Sequence, residues 1–179
     1  MTRLETKLHP LAPTVTATAD HVTVAGHASL WGALDQGGDT VERGAFAASL
    51  ARLRAEGTGV KMLWQHDPAQ PIGIWEEIRE DGRGLWVRGR LLPEVAQARE
   101  AAALIAAGAI DGLSIGYRTL RAERDAQGRR VLAEVELWEV SLVTFPMLRE
   151  AKVGRKSGDL DAAEDLAAVL RAASAALRG

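Results

Sequence analysis

The chain has 179 residues, of which 47% are hydrophobic and 26% are charged, with a formal net charge of −2 and no cysteine. This length supports one sizeable core and a tail, and the lack of basic runs argues against a nucleic-acid partner. The absence of cysteine excludes disulfides, thiolate metal ligands and thiol catalysis. The N-terminal region shows no signal-peptide pattern and no apolar stretch is long enough to cross a membrane, so we expect a cytoplasmic protein with no membrane partner.

The first third of the chain is predicted to hold two strands and one helix. Residues 1–18 carry prolines and threonines and are interpreted as a loose arm with room for an edge strand. Alternating apolar residues predict a strand over 21–31, and the glycine-rich stretch 32–44 predicts a loop. Apolar residues spaced three and four apart predict a helix over 45–56, and a short apolar run predicts a buried strand over 60–64.

The middle of the chain contains the clearest hairpin signal. Two strand patterns, 72–80 and 85–92, flank the turn sequence Asp81-Gly82-Arg83-Gly84. An alanine-rich segment that follows Pro93 predicts a helix over 94–107.

The C-terminal part is predicted to add strands and a last helix. A strand is predicted over 113–121, a turn over 125–128, and a long strand or broken pair over 131–144. After a polar break, leucines near one face predict a helix over 159–178. Because the strands outnumber the helices and come mostly as hairpins, the pattern predicts an α+β fold. We expect an antiparallel, closed β-barrel with surrounding helices, plus this C-terminal helix.

His66 is the first candidate for chemistry. It follows an apolar strand and precedes a turn expected at Asp67-Pro68, and histidine is the usual side-chain base near neutral pH. A single histidine is equally often a structural residue with a satisfied hydrogen bond. Asp67 is a poor candidate to orient His66, since neighbours on a strand point to opposite faces. No second histidine or acid stands at metal-ligand spacing, so no metal site is predicted.

Ser114 is the candidate nucleophile. Gly112 and Gly116 flank it in a Gly-x-Ser-x-Gly pattern, the spelling of the nucleophile elbow in α/β-hydrolases. That elbow requires a preceding strand, a following helix and a downstream histidine, whereas here a helix precedes and a strand follows. All four histidines lie upstream of Ser114: His9, His21, His27 and His66. The elbow is therefore rejected, and Ser114 is either a nucleophile of another kind or a small core residue.

Glu139 is an acid in an otherwise apolar strand. A buried carboxylate requires a partner, which can be an arginine, a backbone amide or a histidine that it orients. Ser141 lies on the same predicted face and is a weaker candidate nucleophile because it lacks flanking glycines.

Four stretches, in this order, resemble the prohead maturation proteases of tailed bacteriophages, which are relatives of herpesvirus assemblin. They are residues 26–29 with 37–39 and 44–46, then 63–67 with 71–73, then 112–117, then 139–146. The resemblance implies a serine endopeptidase with an assemblin-like barrel and no cofactor. We place this protease domain at 19–153, between the arm and a linker with its helix at 154–179.

The same resemblance implies roles for the candidate residues. His66 matches the family's histidine and Ser114 its nucleophile. Assemblins use a second histidine as the third catalytic member, but no histidine follows Ser114, so Glu139 is our candidate for that role. Oxyanion donors are expected among backbone amides near 142–149, where Met147-Leu148-Arg149 departs from the family's pattern.

The implied partners are the major capsid protein precursor with its scaffold segment, and a second copy of the chain as substrate or homodimer partner. The implied location is the interior of the assembling prohead, in a phage, a domesticated remnant or a gene transfer agent. The main alternative is a non-catalytic capsid- or scaffold-binding barrel of the same fold. The rejected elbow disfavours a serine esterase. The C-terminal helix is interpreted either as packed on the barrel or a second subunit, or as a segment trimmed on activation.

Overall fold

Nine strands and two helices form the part of the chain that the structure, a computed structural model, describes: the backbone of residues 5–9 and 14–17, and residues 22–35 and 37–145. The strands are β1 (Glu5–His9), β2 (Thr14–Ala17), β3 (Val22–Leu30), β4 (Asp39–Val41), β5 (Lys61–Trp64), β6 (Asp67–Glu80), β7 (Gly84–Leu91), β8 (Gly112–Arg124) and β9 (Arg130–Val143). The helices are α1 (Ala47–Ala55) and α2 (Ala96–Ala106).

The strands form one mixed sheet shaped as a half-barrel. The hydrogen-bonded order is β1-β8-β9-β5-β6-β7-β3-β2, and β4 pairs with β9 beside this path. The expectation of a wholly antiparallel sheet is wrong for two pairings, because β9 runs parallel to both β4 and β5. A parallel neighbour requires a crossover connection rather than a hairpin. The order places β1 and β2 at its two ends, and the predicted closure of the barrel stays a prediction.

Helix α1 lies in the connection between the two parallel neighbours of β9. β4 and β5 pair with opposite ends of β9, which leaves the middle of that strand without a strand partner on this side. The first turn of α1 and the residues just before it supply the missing acceptors: the Val135 N–H donates to the Ala45 carbonyl at 3.0 Å, and the Leu137 N–H donates to the Ser49 hydroxyl at 2.9 Å. These bonds satisfy backbone groups in the middle of β9 and fix this part of the strand against the α1 segment.

Most of the predicted elements are confirmed. The helices predicted over 45–56 and 94–107 are α1 and α2, and the strongest hairpin is β6 with β7. The strand expected over 131–144 is unbroken β9. The loop predicted over 32–44 was wrong in one respect, since it contains β4, a strand of three residues that is too short to show alternation.

The N-terminal segment forms two strands, whereas the predicted C-terminal helix has no described counterpart. The segment interpreted as a loose arm contains β1 and β2 at the two ends of the sheet order. The helix predicted over 159–178 lies outside the described residues. Of the helices described, none is long and apolar enough to cross a membrane.

The core packs beneath the strands that carry the candidate site. Leu113, Ile115 and Val140 are fully buried on β8 and β9. Trp75 of β6 is buried beside them, and its indole N–H donates to the Val140 carbonyl at 3.2 Å. A buried Trp with its N–H satisfied combines apolar packing with a fixed position, so it holds β6 against the strand that carries Glu139.

Candidate active site

His66 lies in a two-residue turn between β5 and β6. Trp64 pairs with Asp67, so Gln65 and His66 form the loop, with φ values of 53° and 62°. Positive φ at both central positions is the mark of a type I′ hairpin, which usually contains Asn-Gly. The turn expected at Asp67-Pro68 is therefore wrong by two residues, because those residues already begin β6.

The left-handed backbone of this turn is held by the end of β9. Residues other than glycine pay about 1–3 kcal/mol for sparsely populated backbone conformations, so neighbouring groups must stabilise them. The Gln65 N–H donates to the Leu142 carbonyl at 3.0 Å, and the His66 N–H donates to the Ser141 hydroxyl at 3.1 Å. The Gln65 side chain bonds Thr144 through both its amide nitrogen and its oxygen. Four hydrogen bonds thus fix the turn that carries His66.

His66 and Glu139 form a close pair. The Nδ1 atom of His66 lies 2.6 Å from Oε1 of Glu139, whose side chain is only 5% exposed. The second carboxylate oxygen accepts a hydrogen bond from the Ser141 hydroxyl at 2.6 Å. Because an ionised carboxylate can only accept, His66 carries its proton on Nδ1 and presents Nε2 as an acceptor. The buried acid contacts a histidine rather than the arginine or backbone amide that the sequence also allowed.

The Nε2 atom of His66 is buried and has no hydrogen-bond partner within the described part of the chain. Buried polar atoms are nearly always paired, and exceptions require an explanation. The described residues contain no group of three or more histidines and acids that could hold a metal ion. An unpaired basic nitrogen beside an oriented carboxylate is what a general base requires before a proton donor arrives.

Ser114 lies on the same face of the sheet as this pair. In the β8–β9 register Ser114 is directly opposite Ser141, and Gly116 is directly opposite Glu139. Side chains of such opposite residues share a face, with Cβ atoms about 4.5–5.5 Å apart. Ser114 has no exposed surface, and it makes no hydrogen bond to Nε2 of His66. The structure thus brings the three predicted residues to one face, without a hydrogen bond between the Ser114 hydroxyl and Nε2 of His66.

Gly116 provides the space for the carboxylate. A Cβ atom at this position would lie 2.1 Å from Oε1 of Glu139 and 2.8 Å from its Cγ and Cδ. Its φ is not among the positive values, so the requirement is for space and not for backbone freedom. In the sequence, Gly116 is noted only as part of the Gly-x-Ser-x-Gly pattern around Ser114. The actual reason depends on a cross-strand register that a sequence does not display.

A second histidine, the buried His27, forms a separate pair. The Nε2 atom of His27 lies 2.9 Å from Oδ2 of Asp81, and its ring meets Trp86 edge-on at 5.0 Å. Burial tends to raise the pKa of Asp81, but hydrogen bonds from the Arg83 N–H, the His27 ring and the Gly84 N–H lower it to about 2. Asp81 is therefore ionised at neutral pH and ties the β6–β7 turn to β3.

Comparison with known proteins gives the class of the fold. It is similar to the structure of the bacteriophage T4 capsid assembly protease, gp21, with a TM-score of 0.62 over 79% of this chain and 96% of that chain, at 17% sequence identity. This likeness shows a capsid protease fold.

The family follows from the sequence comparison. The family model of the caudovirus prohead serine proteases matches residues 11–165, and the chain belongs to this family. The prohead protease of Enterobacteria phage HK97 is 30% identical over 131 residues, which cover 72% of this chain and 57% of the phage protein. The chain thus spans little more than half the length of that relative. The predicted resemblance to prohead proteases is confirmed.

Proposed function

We propose that the chain is a serine endopeptidase of prohead maturation, with Ser114 as nucleophile, His66 as general base and acid, and Glu139 as the acid that orients His66. The observation that carries this proposal is the His66–Glu139 pair at 2.6 Å, which leaves a buried Nε2 with no partner among the described residues, on the face that holds Ser114. Membership of the prohead serine protease family supports the same assignment.

The proposed reaction follows from these positions. The Ser114 hydroxyl oxygen attacks the scissile carbonyl carbon while its proton moves to Nε2 of His66. Glu139 stabilises the imidazolium through Nδ1–H, and Nε2 then donates the proton to the leaving amine. Water hydrolyses the acyl-enzyme by the reverse proton path. Backbone amides near 142–149 remain our expectation for the oxyanion donors, and residues after Phe145 lie outside the described part.

The proposed chemistry requires the site to open. A serine without exposed surface cannot meet a peptide carbonyl, and Ser114 is fully buried. Catalytic hydrogen bonds are often long in unliganded enzymes and tighten when substrate binds. The same observation favours the second candidate function, a non-catalytic capsid- or scaffold-binding module that keeps the fold.

The proposed substrate is the precursor of the major capsid protein, cut at its scaffold segment inside the assembling prohead. The names of the relatives, a prohead protease and a capsid assembly protease, support this class of substrate. Self-cleavage, a homodimer, the absence of a nucleic-acid partner, a gene-transfer-agent origin and the domain limits 19–153 belong to the same proposal.

Co-expression with a major capsid protein precursor from the same genome tests the function. The wild type is expected to shorten the precursor, and mass spectrometry of the new termini locates the cut. Ser114→Ala should leave the precursor intact. If the precursor stays uncleaved in the presence of the wild-type protein, and the shells that it forms contain that protein, the result would support the binding module instead.

Replacing Glu139 with glutamine is expected to lower kcat by about 10⁴-fold, because an amide no longer holds His66 in the required tautomer. The fold should persist, since glutamine has the same shape. Glu136→Gln is the matched control: it lies on the same strand and bonds Arg52 and Arg118 away from the site. Cleavage kinetics and thermal unfolding should separate the two variants. Equal kcat values for Glu139→Gln and Glu136→Gln would show that Glu139 is not the residue that orients His66.

Gly116→Ala is expected to lower kcat by about 10²-fold, because the new methyl group displaces the Glu139 carboxylate and with it the His66 ring. Gly82→Ala is the control, since a Cβ at Gly82 meets nothing within 4 Å. Cleavage rates of both variants provide the comparison. Full activity of Gly116→Ala would show that the carboxylate position is not needed for catalysis.

A further inference from the structure

We infer that Ser141 is a positioning residue that holds both the turn carrying His66 and the carboxylate of Glu139. One hydroxyl makes both contacts: it donates to Oε2 of Glu139 at 2.6 Å and accepts from the His66 backbone N–H at 3.1 Å. The expected effect of Ser141 on kcat rests on the proposed function, whereas its expected effect on the tautomer of His66 does not.

The direction of each hydrogen bond in this network is determined. A backbone N–H can only donate, so the Ser141 oxygen accepts from His66 and its single proton remains for Glu139. An ionised Glu139 can only accept, so Oε2 accepts from Ser141 and Oε1 accepts from Nδ1–H of His66. In the neutral ring, the network therefore selects the tautomer of His66 that leaves Nε2 without a proton. Successive hydrogen bonds of this kind also strengthen one another in a buried site.

Ser141 also relieves the backbone of the turn. His66 has a φ of 62°, which residues with a side chain rarely adopt, and the Ser141 hydroxyl is the group that binds its N–H. Ser141 is fully buried in β9, which is paired on one side with β8 and on the other with β5. Its hydroxyl is thus held rigidly between the two groups that it orients.

This placement argues against Ser141 as a nucleophile. Its proton is bound to a carboxylate that already accepts from His66, and its oxygen accepts from the His66 backbone rather than facing Nε2. Attack on a peptide by this oxygen would break both bonds and release the turn. Ser141, the weaker candidate nucleophile from the sequence, is better explained as a residue that holds His66 and Glu139 in position.

The first test is the tautomer of His66 in the full-length chain, read from the ¹⁵N chemical shifts of its two ring nitrogens near neutral pH without substrate. His66→Gln identifies the signal. The wild type should show a protonated Nδ1 and an unprotonated Nε2. Because this measurement needs no activity and no Ser141 variant, a neutral wild-type His66 ring with its proton on Nε2 and none on Nδ1 overturns the proposal even if Ser141→Ala fails to fold.

The second test compares three variants. Ser141→Ala should give mixed tautomers and a kcat about 10- to 100-fold lower with KM unchanged, and Ser141→Thr, which keeps the hydroxyl, should restore both. Ser49→Ala also removes a buried hydroxyl that accepts a β9 backbone N–H, and should lower thermal stability without altering the tautomer. An unchanged tautomer in Ser141→Ala overturns the proposal. If the tautomer shifts but no variant or wild type cleaves the precursor, the proposed function fails while the positioning role stands.

Discussion

Ser114→Ala is expected to abolish cleavage of the capsid precursor, with a fall in kcat of about 10⁴- to 10⁶-fold, because alanine lacks the hydroxyl that we propose as the nucleophile, and the neighbouring Ser141 hydroxyl is bonded to Glu139. Loss of one oxygen from a buried position should leave the fold intact. Single-turnover cleavage of the precursor, followed by gel electrophoresis, measures the effect.

Ser29→Ala is the matched control for this prediction. Ser29 is also fully buried on a strand, and its hydroxyl has no hydrogen-bond partner among residues 22–35 and 37–145. Removal of an unpaired buried hydroxyl should cost little stability, and the variant should cleave at the wild-type rate. Near-normal cleavage by Ser114→Ala would end its assignment as nucleophile.

His66→Gln is expected to reduce kcat by a similar factor, about 10⁴- to 10⁶-fold, because glutamine cannot take up the serine proton. Glutamine can still donate to Glu139 and occupy the turn, so the free energy of unfolding should change less than kcat does. Cleavage rates and urea denaturation of the same preparation give the two quantities.

His27→Gln should show the opposite pattern. His27 is also bonded to a carboxylate, but its partner is the partly exposed Asp81, which joins the β6–β7 turn to β3, rather than Glu139 on β9. Weakening this partly buried, charged hydrogen bond should lower the free energy of unfolding by about 1–3 kcal/mol and leave kcat unchanged. A stable but inactive His27→Gln, beside an active His66→Gln, would exchange the roles of the two histidines.

Local patterns in the sequence were enough to predict the helices and hairpins. α1, α2 and the β6–β7 hairpin carry local signals, namely apolar spacing and a glycine-rich turn, that need no distant partner. The parallel pairing of β5 with β9 could not be predicted in this way, because it joins Lys61 to Glu139, far apart along the chain. Strand β4 depends on the same long-range pairing and is too short to show a pattern of its own.

The candidate site was likewise predictable only where the signal is local in the sequence. His66, Ser114 and Glu139 were named from residue type and family resemblance, and the structure places them on one face. The position of the turn was missed because Gln65-His66 lacks the Asn-Gly signal of a type I′ hairpin. The roles of Ser141 and Gly116 depend on the β8–β9 register, where a slip of one residue would turn every side chain to the other face.

Covalent labelling with a fluorophosphonate most directly tests whether Ser114 is a nucleophile activated by His66. Under the conditions in which the wild type cleaves its precursor, peptide mapping should place a single adduct on Ser114, and His66→Gln should form that adduct far more slowly. An adduct on Ser141 or another serine, or equally fast labelling of Ser114 in His66→Gln, would contradict the proposed catalytic arrangement.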